Sequence, residues 1–128
     1  MSVTILIVDD SATTRAVIKR TIQMSGLEGA VLLEAENGQQ GLELARTRKP
    51  DLVLADLQMP EMNGVSMTKE LLADDATRGI PVVIVTAEPS DSTIAMLKQA
   101  GVRMHVSKPF TPETIRKVIG EILGVPNA

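Results

Sequence analysis

Three carboxylates, one hydroxyl and one ammonium stand at or just after the ends of short apolar runs in this chain. Asp9 and Asp10 close ILIVDD, Asp56 closes LVLAD, Thr86 closes VVIVT, and Lys108 follows MHVS. Gathered in one place, three carboxylates would repel one another and would not all stay ionised unaided. A hard divalent cation resolves that conflict. Mg2+ suits such a set, because it takes oxygen ligands, uses few protein carboxylates and leaves other positions to water or phosphate oxygens. A carboxylate is also a nucleophile toward phosphorus, giving an aspartyl phosphate. The metal would neutralise and orient the transferring phosphoryl group. Lys108 would pair with one phosphoryl oxygen as a point charge, and Thr86 would donate a hydrogen bond to another. The set fits metal-dependent phosphorylation of an aspartate.

Taken singly, each residue has a plainer reading. Asp10 or Ser11 suits the N-cap of a helix. Asp56 suits a strand end, Thr86 suits a strand, and Pro109 after Lys108 suits the close of one. His105 reads as a partly packed strand residue, Glu34 and Glu36 as solvated, and the methionines as core filler. The chemistry therefore depends on whether the fold brings the five residues to one edge.

The elements that must position them alternate in type. β-branched apolar runs at 3–8, 30–35, 52–56, 82–86 and 104–107 read as strands. The first, third and fourth are almost continuously apolar, as strands are when both faces are buried in a parallel sheet. Between and after them, 11–24, 37–48, 64–73, 91–100 and 111–123 read as helices. The first helical pattern turns Ala12, Val17, Ile18, Thr21 and Met24 to one side. Asn37 with Gln40 has capping-box spacing, Asn63 is a candidate cap for the third helix, and Thr111 followed by Pro112 opens the last. Five strand–helix units imply right-handed crossovers and a doubly wound parallel sheet, the α/β flavodoxin-like (βα)5 arrangement in the order 2-1-3-4-5. A closed barrel would need eight units. In the open sheet, ligands bind beyond the carboxyl ends of the strands where the winding reverses, between the first and third strands. Asp9, Asp10, Asp56, Thr86 and Lys108 all fall at that edge.

Composition narrows the alternatives. The 128 residues are 44% apolar and 23% charged, which describes one folded domain with a sizeable core. Residues 1–124 form that domain and 125–128 a short tail. A net charge of −3 argues against a nucleic-acid-binding face, and the lone aromatic, Phe110, against base stacking. With no cysteine and one histidine, disulfides, cysteine-ligated zinc and multi-histidine metal sites are excluded. No stretch approaches the roughly 20 apolar residues of a membrane span. MSVTILIVDD lacks the basic leader of a secretory signal, so the expected location is the cytoplasm.

Joined at this spacing, IVDD at 7–10, ADLQMPEMNG at 55–64, VTAE at 85–88 and SKPF at 107–110 resemble the receiver domains of two-component response regulators. The resemblance spans essentially the whole chain and is strongest to stand-alone receivers of the chemotaxis-regulator kind. It implies that Asp56 is the phosphoacceptor. It implies that Asp10 and Asp56 hold Mg2+ directly, with Mn2+ able to substitute, that the backbone carbonyl of Gln58 adds a ligand, and that Asp9 acts through water. Thr86 would bond the phosphoryl group and shift when it arrives, Lys108 would pair with it, and the Lys108–Pro109 bond would be cis. The donor would be a sensor histidine kinase or a histidine phosphotransfer protein. The face of the fourth helix, fifth strand and fifth helix would carry the signal to a protein partner, in trans or within a longer chain. The protein would be a monomer or a weak dimer dependent on phosphorylation. Two positions depart from the family: Asn63-Gly64 replaces Asp-Gly, and His105 stands where the switching Tyr or Phe is usual. Two rivals stay open. A phosphohydrolase of the haloacid dehalogenase type would need a D-x-D that IVDDS lacks and a cap domain. A binding module that never takes phosphate would be expected to lose an acidic residue or the lysine.

Overall fold

Strands that are apolar on both faces need a layer of helices on each side, and the described residues supply five strands and five helices. The computed structural model describes residues 3–24, 26, 27, 29–57, 64–87, 90–108 and 110–123. In chain order the elements are β1 (Thr4–Val8), α1 (Ala12–Met24), β2 (Val31–Ala35), α2 (Gly38–Arg48), β3 (Leu52–Ala55), α3 (Gly64–Ala73), β4 (Val82–Thr86), α4 (Asp91–Ala100), β5 (Met104–Ser107) and α5 (Pro112–Leu123). All strand pairs are parallel, and the sheet order is β2-β1-β3-β4-β5. The five-stranded doubly wound sheet expected from the alternation is the one found.

Alternation of side chains along each strand divides the core in two. Ile5, Ile7, Leu54, Val83 and Val85 face α1 and α5, where they meet Ile18, Ile22, Ile115, Val118 and Ile119. Leu6, Val8, Val53, Ala55 and Ile84 face the other way, against Leu42 of α2, Met67 and Leu71 of α3, and Ile94 and Leu97 of α4. Burial of these side chains is worth about 1.5–3 kcal/mol each, the main favourable contribution to the fold.

Helix ends follow from local chemistry. The Asn37 side chain accepts the Gln40 N–H at 2.9 Å, as an N-cap should. The Gln40 side chain bonds the Glu36 N–H at 3.0 Å, one residue before the position a strict capping box would use. Thr111 accepts the Thr114 N–H at 3.2 Å ahead of Pro112. Gly101, at φ 123°, ends α4 by donating to the carbonyls of Leu97 and Lys98. α2 closes on Lys49, which takes a left-handed conformation at φ 46° before Pro50.

Several expectations need correction. β1 and β2 begin one residue later than the apolar runs, and β3 stops at Ala55, so Asp56 follows the strand. The buried stripe of α1 is Ile18, Thr21 and Ile22, while Val17 and Met24 are 53% and 60% exposed and Ala12 is exposed too. Thr21 faces inward as expected: its hydroxyl donates to the Val17 carbonyl at 2.8 Å, which satisfies it. Met24 and Met96 are exposed and are not core filler, unlike Met67. The proposed cap Asn63 lies outside the described residues. Among those residues, no helix is long and apolar enough to cross a membrane.

Candidate functional site

The sheet ladder runs one residue past three strands and thereby lines up the site. Asp9 N–H bonds the Ala35 carbonyl at 3.0 Å, Asp56 N–H bonds the Val8 carbonyl at 2.9 Å, and Lys108 N–H bonds the Thr86 carbonyl at 2.9 Å. Backbone hydrogen bonding thus sets all three residues at the same carboxyl edge of the sheet, where the long Lys108 side chain reaches across from β5 to Asp9, 99 positions away.

Side-chain contacts complete the cluster. One Asp9 oxygen accepts the Ser11 N–H at 2.9 Å, and the other accepts the Lys108 ammonium at 2.8 Å. One Asp56 oxygen accepts the Leu57 N–H at 2.7 Å, and the other takes Lys108 at 3.3 Å. The Ser11 hydroxyl accepts the Thr14 N–H at 3.2 Å and so caps α1, which leaves capping to Ser11 and not to Asp10. Carboxylate oxygens of Asp9, Asp10 and Asp56 all lie within 4.8 Å of one another. Asp9 is buried, Asp56 half-buried and Asp10 exposed, so the cluster opens to solvent on the Asp10 side.

Charge explains the arrangement around Lys108. Burial is the largest single influence on its pKa and works to lower it. The bond to Asp9 and the negative charges of Asp56 and Asp9 outweigh burial and hold the pKa above the usual lysine value. The ammonium is therefore charged at neutral pH and offsets part of the carboxylate repulsion. One cation among three carboxylates still leaves a net negative, oxygen-only donor set, which is what a hard divalent cation requires.

Gly64 brings α3 against the site. A Cβ there would overlap the Asp56 carbonyl oxygen and press on the Leu57 backbone, so the glycine permits the close approach. Its N–H donates to the Leu57 carbonyl at 3.0 Å.

Thr86 is buried at the end of β4, and His105 is half-buried on β5. The parallel register pairs Ile84 with His105 and Thr86 with Ser107, so Thr86 and His105 belong to the same sheet face, the one covered by α4. The His105 Nδ1 is buried and has no hydrogen-bond partner among the described residues. Gln58, expected to offer a backbone ligand, and Pro109, expected to follow a cis bond, lie outside the described residues.

Two participants were not singled out from the sequence. Arg15 donates from Nη1 to the Asp9 carbonyl at 2.6 Å and from Nε to Glu34 at 3.0 Å. Glu34, read as solvated, also receives Lys19 at 3.0 Å. The available signal was the i,i+4 spacing of Arg15 and Lys19 on α1, opposite a glutamate on the neighbouring strand.

Residues 5–120 match the family model described as the response regulator receiver domain. The protein PilH of Pseudomonas aeruginosa is 40% identical over 119 residues, covering 93% of this chain and 96% of PilH. The chemotaxis protein CheY1 of Helicobacter pylori is 36% identical over 121 residues, covering 94% of this chain and 96% of CheY1. Among solved structures, the Vibrio cholerae chemotaxis protein CheY4 superposes with a TM-score of 0.85 at 27% identity, over 95% of this chain and 99% of that one. The acidic pocket at the sheet edge, the topology and these relatives agree that the chain belongs to the response regulator receiver domain family.

Proposed function

We propose that the protein is a phosphorylation switch whose phosphoacceptor is Asp56. Its donor is a phosphohistidine on a sensor histidine kinase or a histidine phosphotransfer protein. An Asp56 carboxylate oxygen forms a bond to phosphorus as the phosphorus–nitrogen bond breaks, and the leaving imidazole keeps the electron pair and takes up a proton. Asp10 and Asp56, with Asp9 through water and the Gln58 carbonyl, would hold Mg2+, for which Mn2+ can substitute. Bound there, the metal would supply positive charge against the transferring phosphoryl oxygens. Lys108 exchanges its present carboxylate partners for a phosphoryl oxygen. The Thr86 hydroxyl donates to another oxygen, and its movement repacks the face of α4, β5 and α5, with His105 at the centre. That face then binds a protein partner, in trans or in a longer chain. The setting is the cytoplasm, with no direct role for nucleic acid or membrane. The protein is a monomer, or a weak dimer once phosphorylated. Its only catalysis is of its own phosphorylation and dephosphorylation.

The observation that carries this reading is Lys108 reaching both Asp9 and Asp56 inside a cluster of three carboxylates. Intact-mass spectrometry after incubation with acetyl phosphate tests it, with and without Mg2+, on wild type and Asp56→Asn. One Mg2+-dependent phosphoryl adduct is expected, absent from the variant. A fully labelled Asp56→Asn would move the acceptor elsewhere. No adduct, from acetyl phosphate or from a phosphohistidine donor, would leave a binding module that never takes phosphate.

A further inference from the structure

We infer that Arg15 is a positioning residue for the acidic loop, itself aimed by Glu34, and that this pair sets the affinity of the cluster for a divalent cation. The inference rests on the Mg2+ reading above and adds a role for residues outside the carboxylate set. The Asp9 carbonyl belongs to the peptide that joins Asp9 to Asp10. Its N–H side is the start of Asp10, so a bond to the carbonyl oxygen fixes the plane from which Asp10 leaves the chain. Arg15 makes that bond at 2.6 Å, a short distance typical of charge-assisted contacts. Asp9 itself is already anchored, through its own N–H on Ala35 and through both carboxylate oxygens. Asp10 is the exposed member, and its direction depends most on the peptide that Arg15 holds.

The guanidinium is held in turn. Nε is bonded to one Glu34 oxygen at 3.0 Å, and Lys19 holds the other oxygen at 3.0 Å. Arg15 is mostly buried, with 13% of its side chain exposed, so few other orientations are open to it. A planar fork can bond a carbonyl and a carboxylate at fixed angles, whereas a lysine ammonium offers no such geometry. The chain Lys19–Glu34–Arg15 thus ties α1 and β2 to the loop that carries two of the three carboxylates.

Charge and position predict opposite signs, which makes the inference testable. Removing a cation beside an acidic cluster should tighten Mg2+ binding if Arg15 acts only by charge. Removing a positioning group should weaken it. The experiment is a titration of the full chain with Mg2+ alone, followed by amide NMR shifts, on wild type, Arg15→Ala, Arg15→Lys and Glu34→Gln. Arg15→Ala and Arg15→Lys should each raise the Kd on the order of tenfold, the usual cost of losing an outer partner of a metal site. Glu34→Gln should raise it less, in the same direction. Thermal melts of each variant report folding separately, and Arg15→Lys and Glu34→Gln carry the test should Arg15→Ala not fold. Unchanged or tighter binding in folded Arg15 variants overturns the role of Arg15 alone. Wild type that binds no Mg2+ at millimolar concentration overturns the metal reading first, and Arg15's role with it.

Discussion

On the β1–β2 side of the site, directional polar contacts meet one another without a break: Lys19 to Glu34, Glu34 to Arg15, Arg15 to the Asp9 carbonyl, and Asp9 to Ser11 and Lys108. On the β4–β5 side, Ile84, Ile94 and Leu97 form the packing, and the His105 Nδ1 is buried with no partner among the described residues. Hydrogen bonds to charged groups hold atoms at set angles, whereas apolar contacts are non-directional and tolerate repacking. A receiver needs both properties. On the function proposed above, the acidic half would keep its oxygens in place before and after phosphorylation, and the other half would have a second arrangement within reach. On that reading, the contrast gives directional contacts to the half that would do the chemistry and adaptable packing to the half that would report it.

The contrast predicts that the acidic half tolerates substitution poorly. Gly64→Ala should have the largest effect, because the new methyl overlaps the Asp56 carbonyl and the obstacle is backbone. A cost of about 3 kcal/mol is expected, or a fall of roughly 10 °C in melting temperature. A neutral Gly64→Ala would mean that α3 can slide away from β3. Asp9→Ala comes next. It strips Lys108 of its 2.8 Å partner and the Ser11 N–H of its acceptor, at about 2 kcal/mol in urea denaturation. His105→Phe probes the other half with the opposite sign. It removes a buried nitrogen that has no partner among the described residues, so stability should rise by about 1 kcal/mol. A loss there would show that the β4–β5 half is as tightly specified as the acidic one.

How much of this could be read from the residues varies by element. β1, β3 and β4 were legible because both of their faces are buried, which leaves an uninterrupted apolar run. The meeting of Asp9, Asp56 and Lys108 was legible only through topology: the parallel sheet puts their strand ends on one edge, with β1 beside β3 and β5 within reach of a lysine side chain, and no local pattern links residues 9 and 108. The stripe of α1 was only partly placed: Ile18 and Thr21 face inward as expected, but Ile22 joins them while Val17 and Met24 are exposed. The Thr21 hydroxyl satisfies itself on the Val17 carbonyl and goes inward. Arg15 was hidden for another reason. Its two bonds reach a main-chain carbonyl, which no side-chain pattern encodes, and a glutamate 19 residues away. Gly64 looked like an ordinary helix start, because close approach to a carbonyl leaves no trace in sequence beyond the glycine.

Asp10 sharpens the contrast from within the acidic half. It neighbours Asp9 in sequence but is exposed, and Lys108 pairs with Asp9 and Asp56. In the metal-free protein its charge adds repulsion with less compensation. Asp10→Asn should therefore raise the metal-free stability by about 0.5–1 kcal/mol while weakening Mg2+ binding. Adjacent aspartates would then respond with opposite signs. A fall in the metal-free melting temperature of Asp10→Asn would mean that repulsion within the cluster is already relieved.

The smallest effect concerns the outer end of the polar chain and depends on pH. The Glu34 pKa is held below its ordinary value of 4.5. The bond from Lys19 is the largest cause, partial burial opposes it, and the bond from Arg15 and both positive charges add to it. Because the folded pKa lies below the unfolded one, the unfolded state binds more protons as the pH falls. The contribution of Glu34 is then complete above the unfolded value and is lost as the pH drops through the folded value. With 38% of its side chain exposed, its two pairs are screened and worth about 0.5 kcal/mol together. Glu34→Gln should melt a degree or two below wild type at pH 7, and the gap should close as the pH falls below the ordinary Glu value and through the lowered folded one. Added salt at neutral pH should narrow the same gap. A gap that persists at low pH would show that Glu34 acts through packing and neutral hydrogen bonds, and the polar chain would then owe its rigidity to geometry more than to charge.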